Sequence, residues 1–168
     1  MKLPFGDSYC VDTDALITLM TFYPHNIQTF SAIWQDIETL IKEKRMVSVK
    51  YVHDEIKKYQ GKNDALKKWA AKQNRKHFFL PIDKEVLSLA QEVIVQFPDL
   101  LDKKKLQTGE NEADPYLIAL ARHTGSKIIT QENKEKPHKI PLVAAHYQVN
   151  SINLFEFFEE RGLKFVKE

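Results

Sequence analysis

Four acidic residues, Asp12, Glu55, Asp114 and Glu132, differ in their surroundings from the other nineteen of the chain's 23 acids. Asp12 and Glu132 follow short apolar runs typical of buried strands, whereas Glu55 and Asp114 lie on apolar faces of predicted helices. If the strands are parallel, all four side chains can meet at one edge of the sheet. Carboxylates that close together repel one another and do not all stay ionised unless a cation neutralises them. Oxygen ligands with room for water suit Mg²⁺ or Mn²⁺ rather than zinc.

Each of these acids also has a structural explanation. Asp is a preferred N-cap, so Asp12 or Asp14 would cap the helix that follows, and Asp14 is the residue expected to do so. Pro115 suits the first position of a helix, which makes Asp114 the natural N-cap there. A cap residue can still bind a metal through its free oxygen. Glu55 would be favoured by the helix dipole as a first-turn acid.

The apolar pattern predicts an α/β fold, a three-layer α/β/α sandwich with a mainly parallel central sheet, because short apolar runs alternate with stretches of helical period. Pro81 favours an edge position for the third strand, 152–154 is expected to be a central strand, and 98–111 is expected to be a polar loop. Nothing divides the chain, so residues 1–168 are predicted to form one domain. Strands are predicted at 9–11, 46–49, 78–82, 126–130, 152–154 and 163–166.

Composition narrows the class of protein. Cys10 is the sole cysteine, which excludes an internal disulfide and a cysteine-based metal site. No stretch has the length of a membrane span and no signal peptide is evident, so a cytoplasmic location with no membrane partner is predicted. Residues 57–76 hold eight Lys or Arg and one acid, whereas 83–114 hold eight acids and four Lys. That distribution suits a metal-dependent enzyme acting on nucleic acid, or two solvated helix faces.

Four segments of the chain carry a resemblance to a known family. They are Val11-Asp12-Thr13, a Glu early in the helix after the second strand, Ala113-Asp114 through Ala121, and Ile128-Ile129-Thr130. In order and spacing they resemble a PIN domain, of a less characterised PIN-like branch, and the resemblance covers roughly residues 9–165.

Asp12, Glu55 and Asp114 match three acids of the PIN family. Thr130 matches the polar residue that ends the fourth strand, and Glu132 falls where many members have Asp or Asn.

PIN domains are Mg²⁺- or Mn²⁺-dependent ribonucleases, so the resemblance implies hydrolysis of an RNA phosphodiester by metal-activated water. Asp12 and Asp114 would be direct metal ligands, Glu55 would ligate the metal or orient the water, and Glu132 would hold a second ion or an outer water. Thr13, Thr130 and Asp14 would steady these ligands.

The resemblance also suggests partners. Many small PIN domains are toxins of toxin–antitoxin pairs, so an antitoxin protein and a homodimer are expected from the resemblance alone. Single-stranded RNA is the expected substrate, because its phosphates and bases can enter a cleft. The expected phosphate contacts are Lys57, Lys58, Lys134, Lys136 and Lys139.

Two other functions stay open. Asp12-Thr13-Asp14 also resembles the opening motif of aspartate-nucleophile phosphatases, with Asp12 attacking phosphorus and Asp14 as acid or base. That function needs a lysine and an acidic pair after a later strand, and 129–132 is a poor version of the latter that leaves Glu55 without a role. The other is a catalytically silent PIN-fold binding module.

Overall fold

The computed structural model describes residues 7–165 and 167. Over these residues the strands form one parallel sheet, in the order β3-β2-β1-β4-β5. The strands are β1 (Tyr9–Val11), β2 (Met46–Val49), β3 (Phe79–Leu80), β4 (Lys127–Ile129) and β5 (Ser151–Ile152).

Helices cover both faces of the sheet, so the predicted three-layer α/β/α sandwich is confirmed. The central strands β1, β2 and β4 are mainly apolar because both faces of the sheet are covered, and the exceptions are Ser48 in β2 and Lys127 at the start of β4. Among the described residues, no helix is long and apolar enough to cross a membrane. The helices are α1 (Thr13–Phe22), α2 (Ser31–Lys42), α3 (Lys50–Lys58), α4 (Asp64–Asn74), α5 (Lys84–Gln96), α6 (Lys103–Thr108), α7 (Ala113–Thr124), α8 (Ile140–His146) and α9 (Leu154–Glu160).

Strand β1 lies at the centre of the sheet. Cys10 is aligned with Val47 of β2 on one side and with Ile128 of β4 on the other, and all three side chains are buried. The chain first builds β2 and β3 on one side of β1 and later places β4 and β5 on the other. Such a reversal leaves a crevice at the carboxyl ends of the two strands that flank it, here β1 and β4. Helix α7 packs against β1, β2 and β4, which brings its first turn toward that crevice.

The connection between α5 and α7 is not the loop that the sequence predicted. It contains α6, whose N-cap Asp102 accepts a hydrogen bond from the backbone N–H of Lys104 at 2.8 Å. Gly109 ends the helix in the left-handed conformation, with φ of 72°, a conformation that glycine adopts without steric cost. Local capping therefore favours a helix in a segment whose side chains are polar except for Leu106.

Two strand predictions at the carboxyl end also need correction. The strand β5 lies at the edge of the described sheet rather than at its centre. Residues 163–165 of the predicted last strand are not in a strand, and Val166 lies outside the described residues. The backbone N–H of Leu163 instead bonds back to the carbonyl of Phe158 at 3.0 Å, closing the end of α9.

Candidate active site

A cleft of about 430 Å³ opens at the carboxyl ends of β1 and β4. All four acids singled out in the sequence line it, although they come from four separate segments of the chain. Lys105, His138 and Lys139 are the basic residues in its wall. As the side chains stand, no group of three or more His, Cys, Asp or Glu in the described residues is already arranged to hold a metal ion. The acids of the cleft are Asp12, Asp14, Glu55, Asp99, Asp102, Glu112, Asp114 and Glu132.

Asp12 lies at the bottom of the cleft, with 4% of its surface exposed. It is the N-cap of α1, where its Oδ1 accepts the backbone N–H of Thr13 at 2.7 Å. Its Oδ2 accepts the hydroxyl of Thr130 at 2.9 Å. Burial raises the pKa of Asp12 well above its usual range, and repulsion from Asp14, Asp114 and Glu132 raises it further, against the hydrogen bond from Thr130. A nearby cation would favour the ionised form of Asp12.

Asp14 does not cap α1, so that prediction is wrong, because Asp12 holds the N-cap position. Its Oδ1 instead accepts the backbone N–H of Gln131 at 3.1 Å and lies 3.3 Å from the hydroxyl of Thr130. The hydroxyl has one proton, and Asp12 is its nearer acceptor. Asp14 thus ties the first turn of α1 to the end of β4.

Glu55 is the sixth residue of α3, beyond the first turn where the helix dipole would favour an acid, so that explanation is wrong. Its Oε2 accepts the hydroxyl of Thr13 at 2.5 Å, and its Oε1 accepts the backbone N–H of Ala113 at 3.4 Å. These contacts aim Glu55 at the space between α1 and α7. Thr13 therefore orients an acid of the cleft.

Asp114 is the second residue of α7, whose N-cap is Glu112, so the prediction that Asp114 caps the helix is wrong. Pro115 sits at the third helical position, where its missing N–H is harmless because first-turn N–H groups lack intrahelical partners. No hydrogen bond among the described residues reaches the Asp114 carboxylate, which is partly accessible from the cleft. Burial, followed by repulsion from Glu132 and Glu55, raises its pKa well above the usual range.

Glu132 and Glu112 complete the acidic lining. Glu132 accepts the backbone N–H of Ile140 at 2.7 Å, at the start of α8. Burial raises its pKa, although this bond and Lys139, 3.9 Å away, act in the opposite direction. Sequence reasoning missed Glu112, which is 7% exposed and accepts the backbone N–H of Asp102 at 3.1 Å. Its place two residues before Asp114 was the available signal.

Lys105 is the second residue that sequence reasoning missed. Its Nζ lies 3.5 Å from Oε1 of Glu55 and 3.8 Å from Oε1 of Glu112. Burial lowers the pKa of Lys105, but the two carboxylates outweigh that effect and the net shift is upward. The described ion pairs include none with Asp12, Asp14 or Asp114, so none of the described residues forms a salt bridge with these three carboxylates.

The lysines predicted to contact phosphate are not all near the cleft. Lys139 lines it, and Lys58 lines an adjoining depression. Lys57 and Lys134 are held in surface ion pairs with nearby acids, at 2.9 and 2.5 Å, and do not line either cavity. Lys136 is exposed and lies outside the cleft wall.

The donor set of the cleft fits a hard divalent cation. Most of the side chains that line it offer carboxylate oxygens, with two threonine hydroxyls behind them. Among the described residues, no cysteine lines the cleft, and the one imidazole in its wall, that of His138, lies 3.9 Å from Asp99. Carboxylate oxygens suit Mg²⁺ and Mn²⁺.

A family model described as a domain of unknown function (DUF4411) matches residues 9–165. The chain belongs to the DUF4411 family. The match begins at β1 and includes every acid of the cleft, so the site is part of the DUF4411 domain itself. No curated protein matches the chain.

Proposed function

We propose that this DUF4411 domain is a PIN-type ribonuclease that depends on Mg²⁺ or Mn²⁺. The observation that carries the proposal is the convergence of Asp12, Glu55, Asp114 and Glu132 on one cleft. The repulsion among them, which raises the pKa of Asp12 and Asp114, is what a divalent cation would relieve. Buried like charges of this kind are costly for folding and are more often found where a function requires them.

We assign the residues of the cleft different roles according to their positions. Asp12 and Asp114, at the centre, would hold the ion directly, and Glu55 and Glu132, on opposite walls, would ligate it or orient its waters. Thr13 and Thr130 fix Glu55 and Asp12 through their hydroxyls. A bound Mg²⁺ or Mn²⁺ lowers the pKa of its water and offsets charge on phosphate oxygens.

The substrate we infer is single-stranded RNA, which can thread its phosphates into an open cleft. Lys139, whose amino group lies at the rim beside Glu132, is the predicted lysine best placed to meet a phosphate. A cytoplasmic location, a role as the toxin of a toxin–antitoxin pair, an antitoxin partner and a homodimer rest on sequence and on the resemblance to PIN domains.

The test is cleavage of an end-labelled single-stranded RNA with Mg²⁺ or Mn²⁺ against EDTA. We expect cutting only with the metal, and a loss of at least about a hundredfold in Asp12→Asn and in Glu55→Gln. Glu85→Gln is the matched control, because Glu85 is exposed on α5 and lines neither the cleft nor the depression that adjoins it. Cutting that persists in EDTA, or equal loss in all three variants, contradicts the proposal.

The alternatives give different outcomes in the same preparation. An aspartate-nucleophile phosphatase would hydrolyse p-nitrophenyl phosphate and leave RNA intact, whereas a silent binding module would do neither. The hydrogen bond that the backbone N–H of Gln131 donates to Asp14 favours the ribonuclease, because it occupies the carboxylate that a phosphatase would use as its acid or base.

A further inference from the structure

A second depression, of about 290 Å³, adjoins the carboxylate cleft. Glu55 and Lys105 line both cavities and so form the boundary between them. The volume is close to the lower end of the roughly 300–1,000 Å³ typical of small-ligand pockets. The depression is therefore large enough for one small chemical group of a ligand whose other part lies in the carboxylate cleft.

Two half-buried tyrosines, one in α3 and one directly after it, furnish the depression with aromatic surface. Tyr51 is held by an edge-on contact with Tyr116, their ring centroids 4.8 Å apart. Tyr59 lies directly over Gly61, where a Cβ would overlap its ring. Gly61 thus leaves the space that the Tyr59 ring occupies, and both rings are positioned before any ligand arrives.

Two lysines and three acids line the same depression. Lys105 stands at the boundary with the cleft, 3.5 Å from Glu55. Lys58, on α3, pairs with Glu110 at 3.5 Å. The segment that carries Lys105 is attached to the cleft, because the backbone N–H of Asp102 donates to Glu112. Aromatic rings beside lysines are a combination that proteins use to bind single-stranded nucleic acid.

We propose that this depression is the subsite for the nucleotide next to the scissile phosphate, with its base against Tyr51 and Tyr59. Lys105 binds the phosphate between the two cavities, and Lys58 binds the next phosphate along the strand. This inference rests on the proposed ribonuclease function and adds to it a path for the RNA, from the cleft to the depression beside α3. Stacking tolerates any base, so the subsite selects single strands rather than a sequence.

The experiment measures binding of a fluorescein-labelled RNA pentamer by anisotropy, with Ca²⁺ in place of Mg²⁺ to prevent turnover. We expect Tyr59→Ala to weaken binding about tenfold, the size of one base stack, and Tyr59→Phe to retain binding because the ring is kept. Lys105→Gln should weaken binding by a similar factor and reduce the slope of log Kd against log salt by about one phosphate contact. Lys104→Gln is the matched control, because Lys104 is exposed and lines neither cavity.

The outcomes separate this inference from the function on which it rests. If the wild type cuts RNA but Tyr59→Ala and Lys105→Gln bind the pentamer as tightly as Lys104→Gln, the subsite is refuted and the ribonuclease stands. If the wild type neither binds nor cuts RNA, both the subsite and the ribonuclease function are refuted. Selective weakening in the two cavity variants, with Tyr59→Phe retaining binding, supports the subsite.

Discussion

The hydroxyl of Thr130 donates to Oδ2 of Asp12 at 2.9 Å and joins the ends of β4 and β1, 118 residues apart in sequence. The same oxygen lies 3.3 Å from Oδ1 of Asp14. The hydroxyl has one proton, and Asp12 is its nearer acceptor. The bond also lowers the pKa of Asp12 against burial and three acidic neighbours. Together with the backbone N–H of Thr13, Thr130 therefore orients the Asp12 carboxylate and favours its ionised form.

Replacing Thr130 with Val should weaken metal binding. Valine keeps the shape of threonine but leaves Asp12 without its side-chain donor, so the carboxylate is free to rotate and harder to ionise. Loss of such a supporting contact typically costs 10–100-fold in metal affinity, and Thr130→Ser should retain most of it. Calorimetric titration with Mn²⁺ measures the effect. Equal Mn²⁺ affinity in Thr130→Val and the wild type would show that the hydroxyl does not orient a ligand.

Replacing Asp114 with Asn should stabilise the metal-free protein. No described hydrogen bond reaches the Asp114 carboxylate, so the amide removes a repelled charge without removing a bond from the chain. We expect the midpoint of thermal unfolding in EDTA to rise by roughly 2–4 °C, the shift that about 1 kcal/mol gives in a domain of this size. The variant should also lose the stabilisation that Mn²⁺ gives the wild type. A lower midpoint in EDTA would mean that Asp114 has a structural role.

The stability of the metal-free protein should depend on pH in an unusual direction. The pKa values of Asp12 and Asp114 are raised on folding, so the native state binds more protons than the unfolded state above pH 4. The stability contributed by these two groups is complete below their unfolded-state pKa, about 4, and is lost as the pH rises through the raised pKa values, so stability increases as the pH falls through them. Thermal melts in EDTA between pH 8 and pH 5.5 should show this rise, with a shallower slope in Asp114→Asn. A midpoint that falls over that interval in the wild type, or equal slopes, would contradict it.

The central part of the site was predictable because it depends on strand ends. Asp12 and Thr130 follow short apolar runs, and parallel strands place their carboxyl ends at one edge, so the two residues had to meet if the sheet was right. Glu55 was predictable from its position on the apolar face of α3. The periodicity of the apolar residues and the topology of a parallel sheet were enough to place these three residues.

The start of α7 and the place of Lys105 in the site were not predictable, because they depend on helix capping and on the tertiary position of α6. Pro115 is acceptable at several first-turn positions, so its presence did not fix where α7 begins, and Glu112 took the capping role expected of Asp114. Lys103, Lys104 and Lys105 are identical in sequence terms, and only the position of α6 against the cleft turns Lys105 toward Glu55. No local pattern distinguishes it from its two neighbours.

Replacing Lys105 with Gln should tighten Mn²⁺ binding, although it weakens binding of RNA. The ammonium lies 3.5 Å from Glu55, where it repels a cation and occupies a carboxylate oxygen. A unit charge about 4 Å from the ion would contribute about 1 kcal/mol in a water-like medium, or roughly fivefold in affinity. Lys104→Gln should change Mn²⁺ affinity little at 150 mM salt, because its charge is exposed and screened. Weaker Mn²⁺ binding in Lys105→Gln would show instead that the lysine supports the ligand geometry.

Anomalous diffraction from a crystal soaked in Mn²⁺ tests the existence of the metal centre most directly. If the metal centre exists, we expect an anomalous difference peak within ligand distance of Asp12 and Asp114, and no such peak in crystals of Asp114→Asn. An occupied Mn²⁺ site elsewhere on the chain, with the cleft between β1 and β4 empty, would contradict it.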